Sequence, residues 1–182
     1  TIIAIPVLNV FGFINFSREL PDGKDVNRSF PGTSKGSLAS RVANALSKNI
    51  LPLVDFGIDF HTGGSSIYNY PQIRVLKSDR KAIRMAKEFS PPYIIKTGLI
   101  PKSLRKECSK RKIPMLVYEG GESLRLDEFA IQEGLRGLNR LMAAKGYTDQ
   151  EFEKQNNVVF NSSTWSRATK AGLFVSLVKP GT

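Results

Sequence analysis

SLASRVANALSKNILPLVDFGIDF, the stretch Ser37–Phe60, decides the fold class. Ser37, or Ser34 just ahead of it, can cap a helix, because a serine oxygen accepts a hydrogen bond from an N–H that the first turn leaves without a partner. Leu38, Val42, Ala45 and Leu46 then recur at helical spacing, and the helix must stop before Pro52. Phe56–Phe60 follows as a run of strand length. On the N-terminal side, Ile2–Leu8 (IIAIPVL) is apolar and rich in β-branched residues, which predicts a buried strand. Strand, helix, strand in this order predicts a parallel βαβ unit. The alternation continues on the C-terminal side. It predicts strands at Ile73–Leu76, Tyr93–Lys96 and Ile113–Tyr118, and helices at Arg80–Phe89, Ser103–Lys110 and Asp127–Ala144. The expected fold is α/β.

Val10–Thr33 reads as a long loop with Pro21-Asp22-Gly23 and Pro31-Gly32 as turn signals. It exceeds the ~12–15 residues of an ordinary connection, which points to a functional segment. From Tyr147 the chain turns polar (TDQEFEKQNN), then gives Val158–Phe160 and short alternating segments over Ser162–Val178. We read 1–146 as one α/β domain and 147–182 as a linker and the incomplete start of a small β-domain. Both ends have the look of a chain cut within structure: Thr1 opens inside the first strand-like run, and Lys179-Pro180-Gly181-Thr182 reads as a turn.

The 182 residues are 41% hydrophobic and 24% charged, which suits a soluble domain with one sizeable core. Lys and Arg total 27 against 16 Asp and Glu, a formal charge of +11 that draws in anions. The basic residues are spread along the chain, densest at Lys102–Lys112 (KSLRKECSKRK), and are not interleaved with aromatics, so a small carboxylate is favoured over nucleic acid. Cys108 is the only cysteine, which excludes an internal disulfide or a cysteine-based metal site and fits a reducing, cytoplasmic setting. No apolar run reaches the ~18 residues of a membrane helix, so no membrane partner is expected.

In open α/β sheets, ligands bind beyond the carboxyl ends of the strands. His61 directly follows the Gly57–Phe60 run, where a neutral imidazole suits zinc; a hydrogen-bonded structural histidine fits the same position. Asp59, two residues earlier and on the same face of a regular strand, can orient the ring. Glu119 ends the run MLVYE ahead of two glycines that would let a substrate approach, and beside a metal-bound water it can act as general base. A solvated strand-end glutamate is the alternative, and Glu122 lies further into the loop. Asn27 and Arg28 in DVNRSFP (Asp25–Pro31) place an amide beside a guanidinium, a pair able to grip a carboxylate, and Arg18 can stabilise an oxyanion. Each arginine could equally be a surface charge.

Four segments, PVLNVFGFINFSRELPDGKDVNRSFPG (Pro6–Gly32), GIDFHTGG (Gly57–Gly64), YPQIR (Tyr70–Arg74) and LVYEGGES (Leu116–Ser123), resemble the succinylglutamate desuccinylase/aspartoacylase family in order and approximate spacing. These are relatives of the zinc carboxypeptidases. The resemblance covers nearly the whole chain and rests on NRxFPG, then DxHTG, then the strand-end glutamate. It implies a mixed, largely parallel sheet between helices and a small C-terminal β-domain, with Ser163–Thr182 as its start. It further implies one zinc ion with His61 as third ligand, Glu119 as general base and acid, and Arg18 polarising the scissile carbonyl. Asn27 and Arg28 would hold the substrate's carboxylate, Asp25 would support their loop, and Asp59 would orient His61. The implied reaction is hydrolysis of the amide bond of a small carboxylate-bearing N-acyl amino acid.

One part of the family pattern is absent. An HxxE motif, expected upstream of the Ile2–Leu8 strand, supplies the family's first two zinc ligands, and with His61 as the only histidine the His₂Glu set cannot be completed. Loss of an N-terminal segment accounts for this better than loss of metal, so the chain as it stands is expected to be inactive and its parent active. Two other readings stay open: a carboxypeptidase or amidase acting on peptide-like substrates, and a metal-free module that keeps the Asn27-Arg28 carboxylate grip. Nothing in the loops, Tyr68–Arg74 included, spells out the acyl group.

Overall fold

The computed structural model describes residues 1–64 and 67–181. In chain order the elements are α1 (Val10–Asn15), a 3₁₀ turn (Val26–Arg28), α2 (Leu38–Asn49), a second 3₁₀ turn (Leu51–Leu53), β1 (Gly57–Gly63), β2 (Asn69–Leu76), α3 (Arg80–Phe89), β3 (Tyr93–Thr97), α4 (Leu104–Lys110), β4 (Met115–Glu122), α5 (Glu128–Ala144) and β5 (Val158–Phe160). They divide into two compact units. The first comprises Thr1–Gly57 with Leu99–Met115; the second comprises Ile58–Gly98 with the chain from Leu116 onward. Among the described residues, no helix is long and apolar enough to cross a membrane.

The first unit is built around α2. Ser37 caps it by accepting from Ser40 N, and the carboxylate of Asp22 accepts from Ala39 N at 3.3 Å. Ala39, Ala43 and Leu46 on its inner face pack with Leu20, Val26 and Phe30 and with Leu104, Cys108, Ile113 and Met115. Two expectations fail in this unit. Ile2–Leu8 is not a strand, and Ile2, Ile3, Ile5, Val7 and Leu8 are exposed. A strand is held by its ladder; none of the described strands pairs with this run, and Pro6 has no N–H to give one. Nor is Val10–Thr33 a loop throughout, because Asn9 caps α1 through Gly12 N at 2.9 Å and Asp25 caps the first 3₁₀ turn. The run VFGFIN has no polar face, so helical periodicity could not announce it.

The second unit carries the sheet, in the order β1-β4-β2-β3-β5. β2 is parallel to β3 and β3 to β5, whereas β2 and β4 are antiparallel. Gly57 N donates to Pro114 O at one end of the β1–β4 edge and Ser123 N to Gly63 O at the other, so these two strands also run parallel. The result is the expected α/β fold, a five-stranded mixed, mostly parallel sheet flanked by helices.

Side-chain alternation divides the sheet into two faces. Tyr118 lies opposite Ile73 and packs with Phe60 at 5.5 Å and Phe89 of α3 at 5.8 Å between ring centroids. Its hydroxyl donates to Ala130 O of α5. Burial, with Glu133, Tyr68 and Asp127 nearby, pushes the Tyr118 phenol well above its usual range. α5 reaches this layer through small residues: a Cβ at Gly137 would stand 1.9 Å from the fully buried Phe89 ring. The opposite face carries Gln72 across from Glu119 and Arg74 across from Val117. By the same alternation it carries Asp59 and His61, on either side of Phe60 in β1.

β5 extends the sheet beyond β3, and residues 161–181 form no helix or strand. The polar stretch before β5 is fastened down. Gln155 Nε2 donates to Ser90 O and to Glu133 Oε2, both at 2.8 Å, and Arg140 donates to Glu153 O and Ser90 O. Thr182, the last residue of the region read as an incomplete β-domain, lies outside the described residues.

Candidate functional site

The expected site residues fall in two places, one in each unit. In the first unit, the loop is a chain of short-range bonds. Asp25 accepts from Asn27 N at 2.7 Å through Oδ1 and from Arg18 Nε at 2.8 Å through Oδ2. Asn9 donates to Arg18 O at 3.1 Å, and Ser29 Oγ donates to Asp25 O at 2.8 Å. Asn27 Oδ1 accepts from Leu104 N at 2.8 Å, which ties the loop to the start of α4. That bond uses the amide's acceptor and orients its NH₂ group, the half able to donate to a carboxylate. Arg28 is exposed and donates to Asn27 O at 2.7 Å through Nη1. The structure thus brings Arg18, Asp25, Asn27 and Arg28 together.

In the second unit, Asp59 Oδ2 lies 2.8 Å from His61 Nε2, and both side chains are about three-quarters buried. A carboxylate beside a ring nitrogen is the kind of neighbour that orients a metal-binding imidazole. Among the described residues no three His, Cys, Asp or Glu side chains converge as a metal cage. The two bonds at the ends of the β1–β4 edge bracket His61 and Glu119, which lie on adjacent strands.

Glu119 is more enclosed than a strand-end glutamate in solvent, its side chain being 14% exposed. Asn69 Nδ2 donates to its Oε2 at 2.9 Å, and Arg74 Nη1 stands 3.7 Å from Oε1. Asn69 did not stand out in the sequence, and Arg74 did so only as the end of the YPQIR segment. The sequence puts this strand at Ile73–Leu76, with Tyr68 onward among the loops, whereas β2 already begins at Asn69. Only the pairing of β2 with β4 across 50 residues of sequence could have found these contacts. The glycines after Glu119 serve packing: a Cβ on Gly120 would meet the Tyr118 hydroxyl at 2.7 Å, and Gly121, at φ 70°, sits under Asp127. Glu122 is paired with Arg125 at 3.0 Å.

A sequence profile of the succinylglutamate desuccinylase/aspartoacylase catalytic domain matches residues 1–145. The chain belongs to this family. Within it, the chain is similar to N-alpha-acetyl-L-2,4-diaminobutyric acid deacetylase of Halomonas elongata, with 28% identity over 162 residues, 84% of this chain and 47% of that protein. The product-bound ectoine utilization protein of Ruegeria pomeroyi shares the fold, with a TM-score of 0.80 and 23% identity over 88% of this chain and 51% of that one. The succinylglutamate desuccinylase/aspartoacylase of Rhodobacter sphaeroides gives a TM-score of 0.72 and 26% identity over 78% of this chain and 44% of that one. The chain spans about half the length of the relatives it matches.

Proposed function

We propose that this chain is the central part of a zinc-dependent deacylase that hydrolyses the amide bond of a small N-acyl amino acid. The observation that carries the reading is the Asp59–His61 pair on β1 with the enclosed carboxylate of Glu119 on the neighbouring strand β4. Family membership supports the hydrolase class, and the relative named for deacetylating N-acetyl-diaminobutyric acid supports an acylated amino acid as substrate. In this reading His61 is one metal ligand, the other two ligands lie outside this sequence, and residues 147–182 form a linker and part of a β-domain.

Zinc, when bound, supplies an acidified water and a Lewis acid for the carbonyl. The protein's residues do the rest. Glu119 takes a proton from the water as its oxygen bonds to the carbonyl carbon. Arg18 stabilises the charge that builds on the carbonyl oxygen. Glu119 then returns the proton to the nitrogen as the C–N bond breaks, giving a carboxylic acid and an amine that pass to carboxylate and ammonium in water. Asn27 and Arg28 hold the substrate's own carboxylate, with Asp25 bracing their loop.

Elemental analysis of the full-length protein tests the reading. One zinc per chain is expected. A folded full-length protein that holds no divalent metal would overturn it in favour of a carboxylate-binding module without hydrolysis.

A further inference from the structure

The carboxylate of Glu119 is held by a device outside the residues assigned so far. Between the paired positions Asn69↔Gly121 and Gln72↔Glu119, β2 takes three steps while β4 takes two. The extra residue makes a bulge, and Tyr70 and Pro71 lie within it. Pro71 is fully buried and has no N–H for the ladder, so an irregularity is where a central strand can accept it. The bulge also changes the aim of its neighbour. In a regular strand Asn69, three residues before Gln72, would point to the face opposite Gln72 and Glu119. Instead its Nδ2 donates to Glu119 Oε2 at 2.9 Å.

We propose that Asn69 is a positioning residue for the base, turned onto its face by the Tyr70–Pro71 bulge. The inference rests on the reading of Glu119 as the proton acceptor. One oxygen, Oε2, is tethered, and Oε1 is left to take and return the proton. Arg74, 3.7 Å from Oε1, is too far for a hydrogen bond and balances the charge without occupying that oxygen. A tethered carboxylate enters the reaction with its rotamer already chosen, which is where supporting side chains contribute to rate.

The test is steady-state kinetics on the zinc-loaded full-length protein with an N-acetyl amino acid substrate. Asn69→Ala is expected to lower kcat by about 10–100-fold with KM nearly unchanged. In a Glu119→Gln background the same change is expected to do nothing further, because the group it positions is gone. Pro71→Val, which restores an N–H and permits regular pairing, is expected to lower kcat in the same way; thermal denaturation checks that each variant is folded. An unchanged kcat in a folded Asn69→Ala protein, with Glu119→Gln inactive, overturns the positioning role alone. A further loss from Asn69→Ala in the Glu119→Gln background also overturns it, by showing a merely structural role. Glu119→Gln at parental turnover overturns the underlying reading of Glu119 instead.

Discussion

In the first unit, Asp25, Asn27 and Ser29 hold one another through bonds spanning two to four residues, and the group expected to meet a substrate, Arg28, is exposed. In the second, Asp59, His61, Glu119 and Asn69 come from three strands, are partly buried, and are fixed by a ladder that joins positions 50 residues apart. A loop braced locally can present a guanidinium that adapts to a carboxylate. A proton-transfer group must be held closely, and sheet positions do that better than loops. On the proposed function, the first region would serve binding and the second the chemistry.

That division can be broken experimentally in the full-length protein. Glu119→Gln should cause the largest effect, a fall in kcat of about 10²–10⁴-fold with zinc retained, measured by turnover beside metal content. If the loss appeared in KM instead, the strand cluster would be a binding site. Asp59→Ala should weaken zinc by about 10–100-fold, read by competition with a chelator, because His61 loses the carboxylate that stands against its ring. Arg28→Ala should raise KM about tenfold or more, the worth of a charged hydrogen bond, and leave kcat nearly unchanged. A kcat effect there would bring the loop into the chemistry.

The smallest expected effect concerns the shared support of the strand cluster. The Tyr118 phenol is held neutral in the fold, whereas an exposed tyrosine ionises near ~10. The unfolded chain therefore loses a proton that the folded chain keeps, so stability is full below pH ~10 and falls as pH rises above it. Tyr118→Phe should remove this part of the alkaline decline in denaturant midpoint. A parallel decline in both proteins would assign it to other groups.

Much of this was legible in the sequence because the signals are local. α3 was read at its full extent, and Ser37, Ser103 and Asp127 stand as the caps that begin α2, α4 and α5. Asp59 beside His61 followed from period-two alternation alone. What stayed hidden is non-local. Ile2–Leu8 has strand composition, but composition cannot supply a ladder partner. Asn69 and Arg74 acquire their role only through the antiparallel β2–β4 register, and the bulge that aims Asn69 shows in the sequence merely as a proline in a strand. The glycines after Glu119 were read as room for a substrate, whereas Tyr118 and Asp127 fill it.

The stretch from Thr148 to Asn157 looks dispensable, a polar tether one would trim at Ala144 to obtain a tidy domain. Yet Glu133 is only 6% exposed, and Gln155 supplies one of its two side-chain partners, with Arg136 the other. Shortening the chain there would leave a buried carboxylate half-solvated by protein and would free the Arg140 guanidinium from Glu153. Such a trimmed chain should melt earlier, and trypsin should cut the intact chain at Lys154 more slowly than its surroundings suggest, since the tether is also a fastening.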